Sequence, residues 1–262
     1  MATHPLHPLH PLHPLHPLHP FCTLGPPMIL PPHEPVPEFT ELGFTAFTTT
    51  RQAGSYNLAS REPAADVFGR WMALLDGLAP RAHRLATSLQ VHGDRILHHV
   101  DSWSGWLRDT TGADGHMTTA AGTGMAVTLA DCVPIFLAHP GGIGAVLHSG
   151  WKGTAAGIVR RALVEITDAG FDVKQTQVHL GPAICGKCYE VGPEVYLAVT
   201  GDRVDRPTPL DLRGVIASHA RQAGATVTIS ERCTRCHNER FFSHRAGDDG
   251  RQLGVLVVQG RE

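Results

Sequence analysis

The sequence predicts a mixed α/β domain, and three observations carry that prediction. Short runs of β-branched and aliphatic residues outnumber helical patterns and alternate with them irregularly. One segment, Ala64 to Leu78, places Val67, Trp71, Leu74, Leu75 and Leu78 on a single helical face. A Pro140-Gly141-Gly142 turn separates two short apolar runs, Pro134 to Ala138 and Ile143 to Leu147, in the manner of a β-hairpin. The 262 residues are 42% hydrophobic, enough for a sizeable core in one domain.

Taken in order, the chain opens on a His-Pro-Leu repeat of period three from His4 to Pro20. Proline at every third position forbids regular helix and sheet, so this stretch reads as an extended, polyproline-like or disordered tail whose six histidines could bind metal loosely. Pro26-Pro27, Pro31-Pro32, Pro35 and Pro37 prolong it. Residues 1–37 are accordingly read as tail, and 38–262 as a single catalytic domain. Phe44 to Thr50 reads as a strand that ends at Arg51, before a Gly54-Ser55 turn. The helix Ala64 to Leu78 follows. Ser88 to Asp94 reads as the end of an alternating strand with His92 at its tip beside Gly93, and Arg95 to Val100 as another strand. Asp101 to Gly112 is expected to be a polar loop holding Trp103 and Trp106. Met125 to Leu129 is apolar throughout and reads as a strand buried on both faces. Beyond the hairpin, Thr154 to Ala169 and Leu210 to Ala223 read as helices. Gln177 to Gly181, Thr226 to Ile229 and Gln252 to Val258 read as strands.

A net charge of −2 offers no basic stripe for nucleic acid or for anionic membranes. Six cysteines in a chain of this size do not suggest a disulfide framework, and neither a signal peptide nor a membrane-length apolar run is visible. The expectation is a cytoplasmic protein, with a monomer compatible with the sequence.

The chemistry concentrates around the hairpin. Centring its turn on Pro140 sets Cys132 opposite His148 to within one residue, so a thiol and an imidazole share one end. Cys and His are preferred zinc ligands, and an open site needs three of them. His92, at a strand tip beside a glycine, is the best candidate for the third.

Five ordered motifs then resemble one family. They are Gln90-Val91-His92-Gly93, Ala130-Asp131-Cys132-Val133-Pro134-Ile135, His148-Ser149-Gly150-Trp151-Lys152-Gly153-Thr154, Leu180-Gly181-Pro182-Ala183-Ile184 with Cys188-Tyr189-Glu190-Val191-Gly192, and Cys233-Thr234 with Phe241-Phe242-Ser243-His244-Arg245. The chain resembles the YfiH-type laccase-domain family from about Glu38 to Val258. Members of that family, once labelled polyphenol oxidases, are understood as zinc-dependent purine nucleoside phosphorylases with adenosine deaminase activity. The resemblance implies an α/β (α+β) single-domain layered αββα sandwich like that of the cytotoxic necrotizing factors. It implies zinc on His92, Cys132 and His148, with Arg51, Asn57, Asp114 and Arg245 near the substrate. Two departures stand out. Lys152 occupies the usual arginine position of the motif after the second histidine, keeping a charge but losing a bidentate fork. The glycine-rich arm after Arg51 is short.

One thiolate and two neutral imidazoles leave bound Zn2+ with a formal charge of +1, which suits an anion such as phosphate. Gly150 and Gly153, with Thr154 as the N-cap of the next helix, are expected to expose backbone N–H groups to that anion, and Lys152 adds a charge. Purine nucleosides (adenosine, inosine and guanosine, and by the same resemblance S-methyl-5′-thioadenosine) and phosphate are the expected substrates. For deamination, Asp131 and Asp114 are the nearest acidic candidates. The rival readings are a copper phenol oxidase and a metal-stabilised interaction module without catalysis. Cu2+ can substitute at a His/Cys/His site by its higher affinity, but no methionine follows His148 to complete a blue-copper set and no His-x-His pair is present. Finally, Cys185-x-x-Cys188 and Cys233-x-x-Cys236 suggest a zinc ribbon. Their 44-residue separation, against roughly 15–20 in ribbons, weighs against a second metal.

Overall fold

The computed structural model describes residues 29–79 and 81–259. The His-Pro-Leu repeat, and with it the expectation of a loosely metal-binding tail, lies outside the described residues.

Two six-stranded sheets pack face to face. The first runs β1 (His33–Pro35), β2 (Phe44–Thr49), β14 (Gln252–Val258), β7 (Thr123–Leu129), β3 (Arg84–Ser88) and β5 (Gly105–Asp109). The second runs β13 (Thr226–Ile229), β10 (Gln177–Leu180), β8 (Val133–Ala138), β9 (Gly144–Ser149), β6 (Gly115–Thr118) and β4 (Ile96–His98). Both mix parallel and antiparallel pairs. β3 is parallel to β5 and β7, and β10 to β13, while β8 and β9 form the antiparallel hairpin.

Three apolar clusters make the layers. Phe44, Met125, Val127, Phe136, Val146 and Leu256 fill the space between the sheets. Helix α1 (Ala64–Leu78) covers the outer face of the first sheet through Val67, Trp71, Leu74 and Leu78, which pack with Phe47, Leu85 and Val255. The outer face of the second sheet is covered by α2 (Trp151–Ala156), α3 (Ile158–Asp168), α4 (Pro193–Thr200) and α5 (Leu212–Gln222). A two-stranded ribbon of β11 (Glu190–Val191) and β12 (Thr208–Pro209) flanks α4. The architecture is therefore a layered αββα sandwich. Strands β8, β9 and β14 are buried at every position because both of their faces are covered, which explains their largely apolar character, broken only by His148 and Ser149 in β9 and Gln252 in β14.

The structure departs from the sequence reading in several places. The hairpin turn is centred on Gly141, so Pro134 faces His148 and Cys132 precedes the ladder. The positive φ of Gly142 (99°) and the His139 N–H to Ile143 C=O bond close this three-residue loop. Residues Gly105–Asp109, expected in a loop, form edge strand β5, where Trp106 stacks on Trp71 at 4.8 Å and donates to Thr87 Oγ1. The helix expected from Thr154 starts at Trp151 and is broken at Gly157, whose φ is 81°. Strand β1 pairs with β2 ahead of the expected domain start at Glu38, and α4 and β6 had no counterpart in the periodicity.

Candidate metal centre

The site lies on the seam between the sheets. After β7 the chain leaves the first sheet, turns through Ala130-Asp131-Cys132 and enters β8 in the second. Asp131 takes φ 79° to make that turn, which holds Cys132 at its apex. His92 lies in the loop after β3, also with positive φ (60°), and His148 is near the end of β9. Their ligand atoms, with Cys132 Sγ, all lie within 4.8 Å of one another. The two imidazoles meet edge to face at 4.8 Å between ring centroids.

One carboxylate holds this arrangement from behind. Asp114, just before β6, is fully buried and accepts four hydrogen bonds. Oδ1 accepts from His92 N–H (2.9 Å) and from His148 Nδ1 (2.8 Å), and Oδ2 from Val91 N–H (3.1 Å) and Gly93 N–H (2.7 Å). Three successive amides wrapped round one carboxylate stabilise the left-handed conformation of His92. The bond to His148 fixes its tautomer with the proton on Nδ1, leaving Nε2 as the ligand atom. Burial alone would raise the Asp114 pKa, but the His148 bond and the Gly93 and Val91 amides outweigh it, so the carboxyl sits below its ordinary value. Asp114 therefore stands behind the histidine, away from the cavity, and not in the substrate position that the resemblance implied.

Burial would likewise raise the Cys132 thiol. The charge of His148 and hydrogen bonds from His148 and His92 overcome it and bring the thiol down to about 6. Burial would depress His148, but the Cys132 charge and the Asp114 bond push it up to about 9. At neutral pH the pair thus holds its proton on His148 and leaves Cys132 a thiolate, the form in which cysteine binds metal; a metal bound there would displace the proton from His148 Nε2.

Two lobes of one depression meet at the triad. The larger, about 430 Å³, is lined by Tyr56, Asn57, Gln90, Arg108, His244 and Arg251 beside the three candidate ligands. The smaller, about 260 Å³, carries Asp131, Trp151, Ile184, Tyr189 and Arg245 beside His92 and Cys132. His244 lines both.

The remaining expected site residues divide. Asn57 lines the larger lobe, with Nδ2 donating to Asp249 C=O. Arg245 lines the smaller lobe, its guanidinium 5.1 Å from the Tyr189 ring centroid and donating to Glu190 C=O. Asp131 borders the smaller lobe, but its carboxylate accepts Thr234 Oγ1 (2.6 Å) and Arg245 N–H (2.7 Å), so it ties two loops to the cysteine turn. Arg51 is outside both lobes: it pairs with Asp248 at 2.6 Å and donates to Asn238 and Phe241 carbonyls. Lys152 is exposed, lines neither lobe and lies 5.6 Å from the Trp151 ring centroid. Gly153 serves packing, since a Cβ there would stand 3.0 Å from the Gly93 carbonyl oxygen. Thr154 is no N-cap, for its hydroxyl donates back to Gly150 C=O. Gly150 touches the site directly, because a Cβ on it would meet Cys132 Sγ at 3.0 Å and His92 Cδ2 at 3.2 Å. His244, Tyr189 and Gln90 were carried inside motifs without an assigned role, and Gly150 was expected only to let an anion approach the backbone, not to abut the triad. Only their convergence in space distinguishes them.

Back-to-back sheets with outer helices, and a His/Cys/His triad at their seam, define a layered α/β protein with three side chains that could hold a metal ion. The chain belongs to the family described as multi-copper polyphenol oxidoreductase laccase, whose model matches residues 46–259. It is 35% identical over 229 residues to a purine nucleoside phosphorylase of Mycobacterium tuberculosis, covering 80% of this chain and 90% of that one. A purine nucleoside phosphorylase of Deinococcus radiodurans is 34% identical over 262 residues, covering 91% and 95%. Adenosine deaminase RL5, from an unknown prokaryotic organism, is 35% identical over 235 residues, covering 78% and 88%. Among solved structures, YlmD of Geobacillus stearothermophilus superposes with a TM-score of 0.74 at 28% identity, covering 83% and 93%. YfiH of Bacillus licheniformis gives 0.78 at 24% identity over 87% and 97%, a likeness of fold. The motif resemblance to the YfiH-type family holds.

No helix among the described residues is long and apolar enough to cross a membrane.

Proposed function

We propose that this chain is a zinc-dependent purine nucleoside phosphorylase that cleaves adenosine, inosine and guanosine with phosphate, with hydrolytic deamination of adenosine as a second activity. The observation that carries this reading is the His92/Cys132/His148 set, its thiol lowered and its imidazole oriented by Asp114, at the junction of two lobes. Relatives named for both activities, at 34–35% identity over most of the chain, support the substrate class.

The donor set fits zinc: one thiolate and two imidazoles with a buried carboxylate behind one of them are the chemistry of an open zinc site. Bound there, the ion would supply a Lewis acid of net positive charge. The protein's own groups do the rest. The larger lobe offers Tyr56 and Asn57 to a nucleoside, and its volume falls in the range of small-molecule sites. Arg245 places a full positive charge in the smaller lobe, where a phosphate can be held for attack on the ribose anomeric carbon. As the new C–O bond forms, the bond to the purine nitrogen breaks and its electron pair leaves with the base. His244, bordering both lobes, is placed to give that nitrogen a proton.

The family's description names copper oxidation, so that reading needs comparison. Among the described residues, the two assembled groups of ligand-type side chains are this triad and an all-cysteine set. Neither is a histidine cluster suited to a trinuclear copper centre. The test is to incubate purified protein with inosine or adenosine, with and without phosphate, while following free base, ribose 1-phosphate and, with phenols, oxygen uptake. Phosphate-dependent base release supports the proposal. Phenol-dependent oxygen uptake without base release would replace it with the oxidase reading.

A further inference from the structure

Away from the triad, four more cysteines converge. Cys185 and Cys188 follow β10, and Cys233 and Cys236 follow β13. In sequence their 44-residue separation counted against a common site, but β10 and β13 are parallel neighbours, with Leu180 opposite Ile229. The intervening residues, including α4 and α5, form the crossover that returns the chain to the same sheet edge. Both cysteine loops therefore emerge side by side, joined by the bridge of Ala183 to Cys233. Sequence distance is irrelevant once the strands are in register.

The local geometry is that of two metal knuckles. The Sγ atoms of Cys185, Cys188, Cys233 and Cys236 all lie within 4.8 Å of one another. A tetrahedral zinc with Zn–S bonds of about 2.3 Å needs S···S separations of roughly 3.8 Å. Cys185 precedes the single turn Gly186–Cys188, whose Cys188 N–H bonds Cys185 C=O at 3.0 Å. The backbone N–H groups of Cys185 (3.3 Å) and Cys236 (3.4 Å) donate to Cys233 Sγ, contacts that favour a thiolate. Lys187 and Arg235 are exposed on the two turns, with Arg235 Nη1 donating to Cys188 C=O, and supply positive charge beside the four sulfurs. Cys188 and Cys236 sulfurs stand 3.4 Å apart, well beyond the ~2.05 Å of a disulfide.

We propose that Cys185, Cys188, Cys233 and Cys236 bind a second, structural zinc that staples together two loops, the first of which lines the smaller lobe. The first loop carries Ile184 and Tyr189, which line that lobe, and the second carries Thr234, which does not. Both reach the catalytic turn, since Ile184 N–H donates to Asp131 C=O (3.1 Å) and Thr234 Oγ1 to the Asp131 carboxylate. The staple thereby anchors the residue beside Cys132. The inference stands on its own observations and does not need the catalytic proposal to be right.

The test uses the full chain, dialysed to remove loosely held metal, with zinc content by elemental analysis and zinc-edge X-ray absorption. The wild type should hold two zinc ions. Cys132→Ala should keep one, in a shell of sulfur alone at about 2.3 Å. Cys188→Ser/Cys236→Ser should lose one zinc and melt at a lower temperature, while the remaining ion shows nitrogen and sulfur ligands. A Cys132→Ala protein that folds without zinc would overturn the proposal, as would a residual zinc with no sulfur-only shell. If Cys132→Ala does not fold, the wild type and the double variant still decide: equal zinc content in the two overturns the second site and leaves the first standing. A Cys188–Cys236 disulfide in protein purified without oxidant would also overturn it.

Discussion

Replacing Asp114 by asparagine exchanges one oxygen for an amide nitrogen of nearly the same size, so packing is preserved and only the hydrogen bonding changes. All four groups around the native carboxylate are donors: three backbone amides and His148 Nδ1. An asparagine oxygen can serve two of them, in either amide orientation. The NH2 group then faces the other two, a donor against donors in a fully buried place. Leaving a buried donor unsatisfied costs about 1–3 kcal/mol, so two cost roughly 2–6 kcal/mol. Part of this falls on the His92 loop, whose positive φ the carboxylate supports, and part on the tautomer of His148. Loss of such an orienting carboxylate lowers metal affinity about 10- to 100-fold. Competition with a chromophoric chelator reads the affinity, and thermal melting reads the fold. Asp114→Asn should therefore weaken zinc binding by at least tenfold and lower the melting temperature. Wild-type zinc affinity with an unchanged melting temperature would refute the reasoning, and Asp114 would be a bystander.

Three further outcomes follow from the same geometry. Gly150→Ala, at an ordinary negative φ, fails on space alone: its methyl presses on Cys132 Sγ and His92. Zinc affinity should fall about tenfold, with circular dichroism unchanged, and an unaffected affinity would show that the ligand loops yield freely. Arg245→Ala should raise the Michaelis constant for phosphate about tenfold or more, as losing a charged hydrogen bond of ~1.5–3 kcal/mol implies, while Lys152→Ala leaves it unchanged; the reverse pattern would place the anion at the start of α2. Behind the site, buried His99 and His116 share a hydrogen bond (2.9 Å), and Ser88 Oγ, which donates to Ala113 C=O, meets the far nitrogen of His116. With one proton on each ring this chain is satisfied, and burial drives His99 down to about 4 and His116 to about 3. Below about pH 6.5 the unfolded chain takes up protons that these folded histidines refuse, so stability falls with falling pH by up to about 1.4 kcal/mol per unit for each. His116→Gln should flatten the fall in urea midpoint between about pH 6.5 and 4.5, and an equal slope in the two proteins would contradict it.

The fold class was legible because burial on both faces leaves an unmistakable mark. β8 is apolar throughout, β7, β9 and β14 are largely so, with polar residues confined to Thr123 and Thr128, His148 and Ser149, and Gln252, and α1 shows its buried face at helical spacing. What escaped depends on partners that no local pattern names. Trp106 reads as a loop residue until Trp71 stacks on it, and edge strand β5 is otherwise too polar to stand out. The helix start was misplaced because Gly150 precedes it without a side-chain cap, while Thr154, a good cap by type, lies inside the helix and bonds backward. The three candidate ligands could be chosen from motif order and turn chemistry, although the hairpin register was off. Asp114 could be located but not understood, because its role comes from the three amides and the imidazole folded round it. The cysteine pairs were judged by sequence distance, a poor guide where parallel strands bring loops together.

The proposed function requires that phosphate-dependent nucleoside cleavage depend on one metal held by His92, Cys132 and His148. Its most direct test measures zinc content and base release from inosine on the same preparations of wild type and Cys132→Ala, each verified as folded by melting and circular dichroism. The account predicts that the variant holds one zinc ion fewer and releases no base above background, while the wild type releases base only when phosphate is present. A folded Cys132→Ala protein with the full zinc content and wild-type phosphorolysis would contradict it.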